Sequence, residues 1–104
     1  MKNQLIVQFE TSVTPLDRCY AIEETLHQAF SQASDGFVDG HDIGEHRFNV
    51  FIIPSRSWGP AIERTLAFLK LKGALREAVV AKLHAKTSRY EVIHPAKYEG
   101  VFSP

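Results

Sequence analysis

Apolar and polar positions alternate at the start of the chain. In Gln4–Glu10, Leu5, Val7 and Phe9 hold one phase and Gln4 and Gln8 the other, which is the two-residue period of a β-strand. The period then changes. Leu16, Cys19, Tyr20, Glu23, Leu26, His27 and Phe30 recur at three- and four-residue steps, five of the seven apolar, so the spacing predicts a helix that buries this stripe. Thr14-Pro15-Leu16-Asp17 supplies its start: an N-cap, a proline at the first helical position and an early acid facing the positive end of the dipole. Asp35-Gly36 closes it.

Phe37 to Ile53 reads as a hairpin. Gly44-Glu45 is the Gly-X pair suited to a type II′ two-residue turn, where glycine takes the positive φ. That turn pairs Ile43 with His46, Asp42 with Arg47, His41 with Phe48, Gly40 with Asn49, Asp39 with Val50 and Val38 with Phe51. Phe37, Asp39, His41, Ile43, His46, Phe48, Val50 and Ile52 then share one face; Val38, Gly40, Asp42, Arg47, Asn49, Phe51 and Ile53 share the other. The charged first strand is expected at an edge and the apolar second strand at the centre. Gly40, inside a strand, marks a bulge or a close backbone approach.

Pro60 is expected to open a second helix on an Ile62, Leu66, Leu69 stripe ending near Gly73, with Lys70 and Lys72 at its negative end. Strands follow at about 78–85 and 90–94. The order β, α, β, β, α, β with one added strand predicts an α+β, ferredoxin-like βαββαβ sandwich, its antiparallel sheet carrying both helices on one face. The other face, with Gln4, Gln8, Val38, Asn49, Phe51 and Ile53, would then stand bare. A bare, partly apolar face predicts a homodimer packed through it.

The 104 residues allow one domain, and their 44% apolar share suffices for one core. Twelve Lys plus Arg balance twelve Asp plus Glu, which argues against a generic polyanion binder. The balance is uneven along the chain. Glu10, Asp17, Glu23, Glu24, Asp35, Asp39 and Asp42 load the first half, while Lys82, His84, Lys86, Arg89 and Lys97 load the second, a separation able to steer a charged partner. Cys19 is the only cysteine, so no internal disulfide forms, and no signal-peptide core or spanning segment stands out. A cytoplasmic setting and no membrane contact are expected.

The densest polar cluster is Asp39-Gly40-His41-Asp42-Ile43-Gly44-Glu45-His46-Arg47. A metal reading needs ligands converging within about 2 to 2.6 Å of one ion, whereas diagonal strand neighbours are about 7 to 8 Å apart. No metal and no organic cofactor are therefore expected. The structural reading gives Asp42 and Arg47 a cross-strand ion pair and Asp39 or His41 to nearby backbone groups. A catalytic reading gives His41, with Asp39 or Asp42, a proton-transfer role near neutral pH. Cys19 falls on the apolar stripe, where an inert buried thiol is the default. Arg47–Ile52 resembles part of an RNA-binding strand, but strand one lacks a second aromatic platform, so nucleic acid is not expected. Trp58 serves either as an anchor for a partner or as a staple of helix two to the sheet.

Phe37 to Gly44 followed by Phe48-Asn49-Val50-Phe51-Ile52 resembles small bacterial proteins of unknown function that combine an Asp-Gly-His-Asp hairpin with an Asn-Ile-Phe-Ile-type strand. The resemblance implies that the hairpin is the family's hallmark and that an aromatic precedes the final proline, where this chain has His94. It implies no reaction. The expected function is a non-enzymatic protein-binding module, of inhibitor or immunity type, with Asp39, Gly40, His41, Asp42, Arg47, Asn49, Phe51 and Trp58 as binding residues. The alternative is a small-molecule enzyme or sensor using a pocket lined by Tyr20, His41, Phe48 and Trp58.

Overall fold

A computed structural model describes residues 2–104 of the chain. Seven elements follow one another: β1 (Gln4–Glu10), α1 (Leu16–Ser31), β2 (Gly36–Ile43), β3 (Arg47–Pro54), α2 (Trp58–Leu71), β4 (Val79–His84) and β5 (Arg89–His94). The fold is α+β: one five-stranded antiparallel sheet in the order β2-β3-β1-β4-β5, with two helices. β1 lies at the centre, and its residues from Leu5 to Phe9 are all buried. That burial on both phases is why the alternation of β1 is incomplete, with Ile6 between Leu5 and Val7.

The main core lies between the sheet and the helices. Leu5, Val7, Phe9, Val38, Phe48, Val50, Ile52 and Val80 from the sheet meet Cys19, Ile22, Leu26 and Phe30 of α1 and Ala61 and Leu69 of α2. A second, smaller cluster sits on the opposite face, where Ile6, Ala81 and Leu83 are joined by Phe102 from beyond β5. The face expected to stand bare for a second copy therefore carries the chain's own C-terminal residues. Phe102 removes apolar area from water there, which weakens the reason for covering the face with another subunit.

The hairpin departs from the expected register. Gly44 N–H donates to Arg47 O at 2.8 Å, so Glu45 and His46 form the tip, one residue later than expected. Ile43 pairs with Phe48, Asp42 with Asn49, His41 with Val50 and Gly40 with Phe51; beyond the bulge Val38 pairs with Ile52. Gly44 is not among the residues of positive φ, whereas Gly40 has φ 144° at the bulge. The position that favours glycine is thus the bulge, where the backbone takes a conformation that L residues rarely adopt. The bulge returns Val38 to the helix side, correcting its expected place on the other face.

Thr14 also departs from its expected role. Pro15 occupies the N-cap position of α1 without a side-chain cap bond. The buried Thr14 hydroxyl instead donates to Glu77 Oε2 at 2.8 Å, tying the start of α1 to the chain before β4. α2 begins at Trp58, two residues before Pro60, with Pro60 inside its first turn, where a missing N–H costs nothing.

Candidate functional site

The Asp39–Asp42 run is divided among three environments by strand geometry. Successive side chains of a strand point to opposite faces, and the Gly40 bulge interrupts the alternation. Asp39 is left exposed at the bulge, His41 turns to the helix side and Asp42 to the other face.

On the helix side, His41 Nδ1 stands 2.8 and 2.9 Å from the two carboxylate oxygens of Glu23. The hydrogen that satisfies this contact sits on Nδ1. Glu23 is 7% exposed and belongs to the buried stripe of α1, where a carboxylate requires a partner. The His41 ring stacks on Phe48 with centroids 4.9 Å apart and 16° between planes, and Tyr20 meets both rings edge-on at 5.2 Å. Tyr20, His41 and Phe48 are therefore brought together as expected. Trp58 is not with them. Its ring lies 5.4 Å from that of His84, with Lys82 Nζ 5.3 Å from its centroid, against the core beside β4. This is the staple position, and it corrects the four-residue pocket.

On the opposite face a relay of side-chain amides runs across three strands. Asn49 Nδ2 donates to Asp42 Oδ1 at 3.0 Å, and Gln8 Nε2 donates to Asn49 Oδ1 at 3.0 Å. Gln8 Nε2 donates again to Ser103 O at 2.8 Å, so both of its hydrogens are used. Arg47 Nη1 donates to the same carbonyl at 2.7 Å, while Arg47 Nε stands 3.7 Å from Glu10 Oε1. The expected Asp42–Arg47 pair is thereby replaced: the hairpin register puts Asn49 opposite Asp42, and Arg47 faces Glu10 across the β1–β3 ladder. Gln8 is 3% and Asn49 1% exposed, and among the described residues no buried side-chain nitrogen or oxygen lacks a partner. Phe51, on the same face, is partly buried against the Ile6 cluster.

Three participants escape a reading of the hairpin alone: Glu23, Gln8 and Ser103. Two had a signal. Glu23 is an acid on an otherwise buried stripe, and Gln8 is an amide inside an apolar central strand; each is a polar group that burial obliges to pair. Ser103 contributes only a backbone carbonyl, which no side-chain pattern announces.

Among the described residues no group of three or more His, Cys, Asp or Glu is placed to hold a metal ion, and no helix is long and apolar enough to cross a membrane. Surface clefts of 240 to 500 Å³ open beside His84 and Tyr90, beside Glu10 and Arg47, and beside Asp35 and Pro60. No protein-family model matches the chain, and no curated protein and no solved structure matches it.

Proposed function

We propose that the chain is a non-enzymatic protein-binding module on a ferredoxin-like βαββαβ frame, acting inside the cell as an inhibitor or immunity-type partner. Support for the frame comes from the order β2-β3-β1-β4, with α1 and α2 each joining strands that are not neighbours, and with β5 appended beside β4. The lone, buried Cys19 fits a reducing compartment.

The observation that carries the binding reading is the free edge of β2. Strand β2 pairs only with β3, and Tyr20, Phe37 and Ile43, each between 44% and 47% exposed, flank that edge. Residues 11–46 carry seven acids, Asp17, Glu23, Glu24, Asp35, Asp39, Asp42 and Glu45, against one base, Arg18. Aromatic and apolar anchors within a one-signed rim favour a cationic protein surface.

A specific test uses exposed positions, leaving the Glu23–His41 and Asp42–Asn49 pairs intact. Wild type and a Phe37→Asp, Asp39→Lys, Ile43→Asp variant are used side by side for affinity capture from the native cell, with circular dichroism checking the fold. One specific partner held by wild type and lost by the variant supports the reading. The same partners on both would overturn it.

A second reading, proton transfer by His41, is favoured by the short Glu23–His41 contact and the Tyr20 ring beside it. A small-molecule reaction also needs a concave site at His41.

A further inference from the structure

The chain holds two Asp-Gly pairs, Asp35-Gly36 and Asp39-Gly40, and the fold treats them differently. An aspartate followed by glycine is able to close on itself, because the glycine carries no Cβ to obstruct the approach of the side-chain carbonyl carbon to its amide nitrogen. Closure requires a movable main chain and a carboxyl group free to turn. Asp35-Gly36 meets neither condition. Arg64 Nε donates to Asp35 Oδ2 at 2.6 Å, and the Asp35 carbonyl accepts from the Ser55 N–H at 2.9 Å. Gly36 is buried, and the Ile53 carbonyl oxygen lies 2.5 Å from where a Cβ would stand, so this end of β2 is pressed against β3.

Asp39-Gly40 meets both. Asp39 is the extra residue of the bulge: Val38 pairs with Ile52 and Gly40 with Phe51, which leaves Asp39 without a partner on β3. It is exposed, and among the described residues no hydrogen bond or ion pair holds its carboxylate. A Cβ added at Gly40 would meet nothing within 4 Å, so a ring closed over the Gly40 nitrogen has room. Strand β2 pairs only with β3. Freeing the Gly40 amide therefore takes a local opening at the sheet edge while the centre of the sheet stays closed.

We propose that Asp39-Gly40 is a self-modification site, where aspartate isomerises to isoaspartate through a succinimide, and that the Arg64 ion pair and the tight seat of Gly36 spare Asp35. The Gly40 nitrogen bonds to Asp39 Cγ, and the carboxyl hydroxyl and the amide hydrogen leave as water. A water molecule then reopens the ring. Its addition at the Asp39 main-chain carbonyl carbon breaks the bond from that carbon to the Gly40 nitrogen, so the main chain now runs through Cγ and the α-carboxylate becomes the side group. The product keeps mass and charge and gains a methylene in the main chain. That added length falls between Val38, in the core, and His41, on Glu23. Water is the sole co-reactant, and no partner at the β2 edge is needed, so the site stands or falls separately from the binding role.

The test is ageing of the full wild-type chain in warm, mildly acidic buffer, folded and in urea side by side, followed by proteolysis and mass spectrometry. Isoaspartyl peptides elute apart from their aspartyl twins at unchanged mass, and fragmentation across the added methylene assigns the residue. In urea both pairs are expected to isomerise at similar rates. In the folded chain, isoaspartate at residue 39 is expected to outpace that at residue 35 by at least about tenfold, the factor produced by about 1.4 kcal/mol of extra local opening needed at Asp35. Methyl transfer from a labelled donor by an isoaspartyl carboxyl methyltransferase should count the same product. Arg64→Ala, which leaves the bulge untouched, is expected to raise isoaspartate at residue 35 alone; an unchanged rate there would remove Arg64 as its guard. Equal rates at the two residues in the folded chain, or a residue 39 slowed by folding as strongly as residue 35, would overturn the site.

Discussion

His41 and Asp42 are adjacent in the chain and serve opposite faces of the sheet. The His41 imidazole closes on Glu23 under α1, and the Asp42 carboxylate accepts from Asn49 on the face that holds the C-terminal residues. Each lies at the end of a buried or half-buried polar chain, and the two chains are separated by the thickness of one strand. A hairpin that looks like a single polar cluster is thus two anchoring points, one for each layer.

Glu23 and His41 are expected to be strongly coupled in stability. Removing His41 leaves a carboxylate that is mostly buried without its donor, and removing Glu23 leaves the imidazole unmatched; each loss is of order 1 to 3 kcal/mol. His41→Ala also loses the stacking on Phe48. Urea unfolding of Glu23→Gln, His41→Ala and the double variant closes a double-mutant cycle. The double variant should lose clearly less than the sum of the two singles, and simple additivity would mean that the short contact contributes no net coupling.

Asn49 is the middle of the other chain. It is 1% exposed, accepts from Gln8 and donates to Asp42, so Asn49→Leu strands a buried Gln8 donor while matching the volume roughly. An expected loss of about 1 to 3 kcal/mol follows from the unpaired group. The same variant should free the C-terminal residues, because Gln8 then has no fixed direction. Amide exchange at Ser103 should rise above what the global destabilisation alone produces.

The sequence made most of the fold legible because two periods can be read in it: Leu5, Val7 and Phe9 for a strand, Cys19, Leu26 and Phe30 for a helix. The hairpin register was not legible. Two glycines, Gly40 and Gly44, both suit a special conformation, and local turn chemistry favoured Gly44; the tertiary demand that Val38 and Ile52 both reach the core instead places the bulge at Gly40. The site was half legible for a related reason. His41, Phe48 and Tyr20 fall together by periodicity, while the partner of Asp42 depends on a register that one misplaced turn changes. The tail was illegible because Phe102 lies in no periodic segment.

Glu91 gives a pH prediction at the β4–β5 edge. Its carboxylate is held below the usual 4.5, first by the hydrogen bond with His84, whose Nε2 lies 3.1 Å from Oε1, and then by Lys82. A lowered carboxylate adds stability above its unfolded value, and that contribution fades as pH falls through the folded value. The window therefore lies below 4.5. An NMR titration of the Glu91 side chain should show a midpoint under 4.5 in wild type and a rise toward it in His84→Ala. An unchanged midpoint would remove His84 as the cause.

Cys19 titrates in the opposite direction. Burial foremost, then the carboxylates of Glu77 and Asp17, push its thiol above 9.0. Above that pH the unfolded chain releases the thiol proton before the folded one does, so the unfolded state binds fewer protons and stability falls as pH rises toward the folded value. Cys19→Ala should lack this component of the alkaline loss, though the lost thiol costs some packing at every pH. At pH 8 a thiol reagent should label wild type only as fast as the protein opens. Immediate stoichiometric labelling would contradict a buried, protonated thiol.

The two hairpin glycines should respond differently to one added methyl. At Gly40 an added Cβ meets nothing within 4 Å, so space is no obstacle, but φ 144° lies where L residues are strained whatever the room. The cost is expected at about 1 to 3 kcal/mol for Gly40→Ala. At Gly44 the nearest atom to an added Cβ is Arg47 O at 3.9 Å, an ordinary contact, and φ is not positive. Gly44→Ala should therefore fall within about 0.5 kcal/mol of wild type, as surface substitutions free of strain do. A type II′ turn at Gly44-Glu45 demands the reverse ranking, since its first central residue takes positive φ. Thermal or urea unfolding of the two variants consequently reads out the register of the hairpin: a sensitive Gly40 with a tolerant Gly44 places His41 beside Glu23, and the reverse would slide Asp42 away from Asn49 and dissolve the relay to Ser103.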